Sequence, residues 1–240
     1  MAISLFVGIF TARLITKKFY PEIKPDAIYD IAPTLIICAI LGARIYYCIL
    51  CWDYYSQNLI EIPELWHGGL SIHGAILGGL IGGTIYALKH KLPILKLCDI
   101  FAYGLILGQA LGRWGNFFNS EAFGRPTENF LKLYIPLAKR PIDYMQYSYF
   151  HPTFLYESIL NILVFLILFF VVRKLTKGTD GIIFFSYLLL YSIVRILIEQ
   201  LRIDSVLNVC GIPIAQIVSA LIIIISTIAI IKLNLKAKNQ

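Results

Sequence analysis

The side chains in this 240-residue chain best suited to chemistry stand where charge is least expected. Arg44, His73, Arg113, Glu157 and Arg195 each interrupt a long apolar run. Ionisable groups in such runs are expensive to desolvate, and each is a functional candidate by default. Two or three guanidinium groups in a low-dielectric pocket call for an anion, and the fixed fork of donors on Arg suits phosphate in particular. A histidine adds a group whose ordinary pKa permits proton transfer near neutrality. Glu199 follows Arg195 by four residues on one helical face, where the two can pair.

Each residue also has a plainer reading. An Arg near a helix end, such as Arg44 or Arg202, reads equally well as a snorkelling side chain. Arg195 is followed by another turn of apolar sequence, which makes snorkelling harder. A single His in a span is more often a packed polar residue than a base. His67, His90 and His151 fall at or outside the ends of the apolar runs, so His73 alone is placed for proton transfer inside one. The scattered histidines and a lone Cys48–Cys51 spacing speak against a metal site. All five cysteines read as small core hydrophobes. The stretch Gly69 to His73 lacks the closing Gly of a nucleophile elbow, which speaks against a serine hydrolase.

The elements that must carry these groups follow from composition. Apolar residues make up 58% of the chain, charged residues only 15%, and the mean hydropathy is +0.75, which leaves too little polar surface for an ordinary soluble domain. Stretches long enough to span a bilayer fall at about 1–16, 29–51, 69–88, 97–117, 153–172, 181–200 and 211–231. The expected fold is therefore an all-α integral membrane protein of seven transmembrane helices, one polytopic domain over residues 1–240. The basic groups Arg13, Lys17, Lys18 and Lys24 follow the first run, so the start does not read as a secretory signal. Lys89, Lys91 and Lys96 follow the third run; Arg173, Lys174 and Lys177 the fifth; Lys232, Lys236 and Lys238 the seventh. The loop after the second run holds Asp53, Glu61 and Glu64 and no Lys or Arg. By the positive-inside bias the N-terminus faces out and the C-terminus faces the cytoplasm. This placement accounts for a formal net charge of +7 without nucleic acid.

One long insertion, about residues 118–152, falls on the outer side and mixes Pro126, Pro136 and Pro141 with Tyr134, Tyr144, Tyr147, Tyr149 and Phe150. Its aromatic content predicts an ordered cap against the membrane interface. Gly74, Gly78 and Gly82, and Gly104, Gly108 and Gly112, recur at four-residue spacing and predict tight packing of the third and fourth helices. At roughly 1.5 Å per residue, Arg44, Arg113 and Arg195 fall about 20–25 Å from the inner surface, and His73 and Glu157 about one turn below the outer one. All five then share one level, as a polar cavity open to the outer leaflet would require. An anion bound there under an aromatic roof is the phosphate of a lipid.

The run Gly112-Arg113-Trp114-Gly115-Asn116-Phe117-Phe118-Asn119-Ser120-Glu121-Ala122-Phe123-Gly124 resembles the signature of the prolipoprotein diacylglyceryl transferases. Further blocks are similar to that family in the same order: Gly42 to Ile45, Gly68 to Gly74, His151 to Glu157, and Arg195 to Arg202. The resemblance implies transfer of the diacylglyceryl group of phosphatidylglycerol to the thiol of a lipobox cysteine in a prolipoprotein, with release of glycerol phosphate. It implies the bacterial cytoplasmic (inner) membrane, an active site toward the outer leaflet, and no metal or organic cofactor. It makes His73 the histidine implicated as base, with holding the headgroup by hydrogen bonding as the alternative role, and Arg113 and Arg195 essential groups near the headgroup. It places Asn116, Glu121, Gly124, Tyr156, Glu199 and Arg202, with Arg44, among the substrate-binding positions. Family members begin earlier, and aligning Val7-Gly8 sets Met1 at a family tyrosine, so that aromatic role is lost, moved or carried by a preceding segment. The last block lacks the family proline after its second Arg, and Asp204 is left unassigned. A transporter or flippase of an anionic phospholipid would also want buried Arg, but it favours inverted repeats, and none is evident.

Overall fold

The computed structural model describes residues 2–176, 178–203, 208–209 and 212–238; Met1, Lys177, Asp204 and Cys210, which enter the sequence reading, lie outside the described residues. Among the described residues there are seven long helices: α1 (Ala2–Phe19), α2 (Ala27–Leu50), α3 (Ile72–Lys89), α4 (Ile94–Asn119), α5 (Thr153–Leu175), α6 (Ile182–Glu199) and α7 (Ile214–Lys238). In a medium without hydrogen-bonding partners a chain must satisfy its backbone internally, and a helix does so within one segment. Six of the seven, α2 to α7, are long and apolar enough to cross a membrane. α1 equals α3 in length but carries Arg13, Lys17 and Lys18. Many apolar side chains point outward, among them Ile37, Leu41, Ile45 and Ile49 on α2 and Leu221, Ile224, Ile225 and Ile228 on α7. Such faces suit lipid rather than water.

The chain divides into two compact units, Arg13–Leu97 and Met1–Ala12 with Cys98–Gln240. In the first, α2 and α3 pack in an antiparallel register that sets Gly42 against Gly74, Cys38 against Gly78 and Thr34 near Gly82. A Cβ on Gly42, Gly74 or Gly78 would collide with the backbone of the other helix, so the glycines fix how closely the two approach. In the second unit, Gly104 and Gly108 of α4 meet Gly8 and Ser4 of α1. Both glycine ridges therefore serve close helix packing, but against α2 and α1 respectively. Spacing marks a small-residue face without naming the helix it meets.

Polar groups tie α4, α5 and α6 together. Asp99, 1% exposed on α4, accepts the backbone N–H groups of Gly181 (2.7 Å) and Phe184 (2.8 Å), capping the otherwise unsatisfied start of α6. The Ser158 hydroxyl donates to the Ala110 carbonyl (2.8 Å), and the Gln109 amide donates to the Tyr187 hydroxyl (3.0 Å). Between α4 and α5 the chain is ordered around its own small core of Phe123, Ile135 and Phe150. There β1 (Leu133–Tyr134) pairs antiparallel with β2 (Tyr149–Phe150), Leu133 opposite Phe150 and Tyr134 opposite Tyr149. Cys38, Cys48, Cys51 and Cys98 carry free thiols.

Candidate functional site

Nine of the eleven candidate residues belong to the larger unit. Arg113, in the last two turns of α4, places Nη2 2.5 Å from Oε1 of Glu157 in the first turns of α5. The Glu157 side chain is 2% exposed and that of Arg113 22%. The contact is a close approach of charges rather than an aligned hydrogen bond, since Oε1 of Glu157 has no hydrogen-bond partner among the described residues. A carboxylate so deeply buried needs its cation, because one partner alone leaves an uncompensated charge in a poor solvent. On α6, Nη2 of Arg195 lies 2.8 Å from Oε2 of Glu199, the pairing expected from the four-residue spacing. Nη1 of Arg195 is buried and has no hydrogen-bond partner among the described residues. It is a charged donor held in place with capacity left over, which is what an anion requires.

The ends of three elements meet in backbone hydrogen bonds. The Gly124 N–H donates to the His151 carbonyl (2.9 Å), the His151 N–H to the Arg125 carbonyl (3.0 Å), and the Arg125 N–H to the Leu201 carbonyl (2.9 Å). Gly124 bridges Arg202 in the same way. The end of the signature run, the start of the His151 block and the end of the Arg195 block thus form one junction. A Cβ on Gly124 would lie 2.8 Å from Cβ of His151 and 2.9 Å from the Leu201 carbonyl oxygen, so a side chain there would open it. The turn leading in is strained: Ser120 and Ala122 adopt φ of 52° and 54°, a region that costs a residue with a Cβ. The turn is held by the Glu121 N–H donating to the Asn116 carbonyl (3.0 Å), and by the Thr153 hydroxyl donating to the Ala122 carbonyl.

The remaining candidates sit around this frame. Asn116 is half-buried near the end of α4. Glu121 is exposed and accepts the Asn119 amide (3.2 Å). The Tyr156 hydroxyl lies 3.2 Å from Nδ1 of His151. The Arg202 N–H donates to the Glu199 carbonyl (3.3 Å). The sequence reading missed Thr153, whose hydroxyl is the side-chain tie of the strained turn. No local sequence signal marks this tie, because its partner lies 31 residues away in the chain.

Arg44 and His73 belong to the Arg13–Leu97 unit. His73 is the second residue of α3, is exposed, and has the Tyr46 ring 6.2 Å away at a 37° tilt. Arg44 is buried, with its guanidinium engaged by backbone carbonyls of the following loop. In that loop the Tyr54 hydroxyl donates to the Glu61 carboxylate (2.8 Å), and this bond to a charged acceptor pushes the phenol pKa upward. Among the described residues no group of three His, Cys, Asp or Glu side chains converges as a metal site would.

A family model described as "Prolipoprotein diacylglyceryl transferase" matches residues 1–232. The chain is 48% identical to a phosphatidylglycerol–prolipoprotein diacylglyceryl transferase of Acaryochloris marina over 219 residues, 91% of this chain and 79% of that one. It is 45% identical to the protein of that name from a Synechocystis species over 243 residues, 100% of this chain and 85% of the other. It is 40% identical to the one from Thermosynechococcus vestitus over 238 residues, 99% and 88% of the two.

Proposed function

The chain belongs to the prolipoprotein diacylglyceryl transferase family, and from that premise we propose that its arginines assist the departure of a phosphate from a lipid. The protein is a membrane transferase of lipoprotein biosynthesis. It moves the diacylglyceryl group of phosphatidylglycerol to the thiol of the lipobox cysteine of a prolipoprotein. The sulfur forms a bond to the glycerol carbon bearing the phosphate ester, the C–O bond at that carbon breaks, and the products are a thioether and glycerol phosphate.

The substrate supplies the nucleophile. A cysteine with an ordinary pKa near 8.5 is mostly thiol at neutral pH, so a base must take its proton as sulfur attacks; His73 is that base. Negative charge grows on the departing phosphate. Fixed donors aimed there stabilise the transition state more than the ground state, and one such donor is worth roughly 3 kcal/mol or more. Arg113 and Arg195 supply them. The observation that carries this reading is the buried Nη1 of Arg195, which has no hydrogen-bond partner among the described residues while its Nη2 lies against Glu199. Asn116, Glu121, Tyr156 and Arg202 bind around the headgroup, and Gly124 keeps the junction beside them closed.

α1 is the seventh span of a single polytopic domain in the bacterial cytoplasmic (inner) membrane, with the N-terminus outside and the C-terminus in the cytoplasm. The 118–152 segment is the outer-face cap, and the site opens to the outer leaflet. The charge bias of the connecting segments supports this orientation.

The test is direct. Purified protein in nanodiscs receives labelled phosphatidylglycerol and a lipobox peptide. Thioether formation with release of glycerol phosphate is expected, and His73→Gln should transfer at a small fraction of the wild-type rate. Lipid movement across the bilayer without thioether would overturn the reading in favour of a flippase.

A further inference from the structure

Arg44 stands near the end of α2 yet is only 4% exposed. Its Nε donates to the Ile62 carbonyl (2.7 Å), Nη1 to those of Gly68 (2.7 Å) and Gly69 (3.1 Å), and Nη2 to that of Glu61 (2.5 Å). The Tyr55 ring centre lies 5.1 Å from the guanidinium carbon. Four of the five N–H donors a guanidinium possesses are thus spent on backbone carbonyls, and one face is spent on an aromatic ring. Little remains for a phosphate.

What the four carbonyls share is their place in the chain. All belong to the connection from α2 to α3, and the last two immediately precede α3. Gly68 and Gly69 take φ of 84° and 73°, which a residue with a Cβ resists, and a Cβ on Gly69 would fall 2.8 Å from Nη1 of Arg44. The Ser71 N–H then donates to the carbonyl of Ala43, the residue before Arg44 (3.1 Å). Ile72 opens the helix, and His73 follows.

We propose that Arg44 is a positioning residue rather than a headgroup ligand: it gathers the loop carbonyls, fixes the Gly68–Ser71 turn, and so sets the direction in which His73 leaves the first turn of α3. This rests on the reading of His73 as the proton acceptor. A lysine cannot replace it, because an ammonium is a point with three donors and does not span four carbonyls on separate sides.

The test pairs hydrogen–deuterium exchange with transfer kinetics on the full-length protein in phosphatidylglycerol nanodiscs, for wild type, Arg44→Ala, Arg44→Lys and His73→Gln. In Arg44→Ala, amides of residues 52–71 should exchange faster while those of α5 and α6 stay protected. The kcat should fall about tenfold to hundredfold, as misplacement of a reacting group does, with KM for phosphatidylglycerol nearly unchanged. Arg44→Lys should show the same pattern to a lesser degree, and it carries the test if Arg44→Ala fails to insert. Unchanged exchange with a raised KM would overturn the proposal and make Arg44 a headgroup ligand. A loosened loop with wild-type kcat would overturn it too. His73→Gln then separates the two failures: an inactive His73→Gln leaves the base in place and removes only the positioning role, whereas an active one removes the reading of His73 itself.

Discussion

Glu157, 2% exposed, faces the Arg113 guanidinium at 2.5 Å, and two consequences belong to that pair alone. Glu157→Gln removes the counter-charge but keeps the shape. The expected loss of stability is less than the roughly 3–5 kcal/mol typical of breaking a buried pair, because the Arg113 side chain keeps some exposure. Thermal unfolding in detergent, followed by helical circular dichroism, checks it; an unchanged midpoint would show that the pair does not stabilise the fold. Cys48→Ser combined with Cys51→Ser should leave transfer nearly unchanged in the peptide assay, because among the described residues the two thiols form no disulfide and belong to no metal-ligating group. A large loss would give the pair a chemical role. At this scale the sequence was partly readable. The Arg195–Glu199 contact follows from spacing along one helix, whereas Arg113–Glu157 joins two helices, and no periodicity within either predicts the partner. The orphaned Nη1 of Arg195 is a property of burial and could not be read at all.

At the scale of elements, each of the seven apolar runs holds a long helix among the described residues, six of them long and apolar enough to cross a membrane, with ends within about three residues of the expected ones except that α7 runs on to Lys238. The reason is that bilayer thickness and backbone satisfaction together dictate both length and type. The order within the 118–152 segment was anticipated from its aromatics, but its form was not. Two-residue strands and a junction built of backbone hydrogen bonds among Gly124, Arg125, His151 and Leu201 leave no side-chain pattern to detect. Only Gly124 betrays the junction, because nothing larger fits. Gly124→Val should therefore separate the three block ends and abolish transfer while helix content remains native, as read by the peptide assay beside far-ultraviolet circular dichroism. Full activity in that variant would mean that the junction does not position the site.

For the whole molecule, composition alone excluded an ordinary soluble domain, and the basic residues at or just past the ends of α1, α3, α5 and α7 are the basis on which the proposed orientation rests. Single cysteines in a background lacking the native ones, introduced at Lys91 and at Ile142, should react with impermeant maleimide from opposite faces of sealed vesicles. Labelling of both from one face would dismantle the orientation and with it the outward site. The claim on which everything else turns is that donors from α4 and α6 stabilise a departing phosphate. Arg195→Lys tests it most directly, because the ammonium keeps a cation beside Glu199 while the spare Nη1 donor is lost. The single-turnover rate at saturating phosphatidylglycerol should drop about 100-fold or more, in line with loss of roughly 3 kcal/mol of transition-state stabilisation, in a protein that inserts normally. A rate equal to that of the wild type would contradict the account.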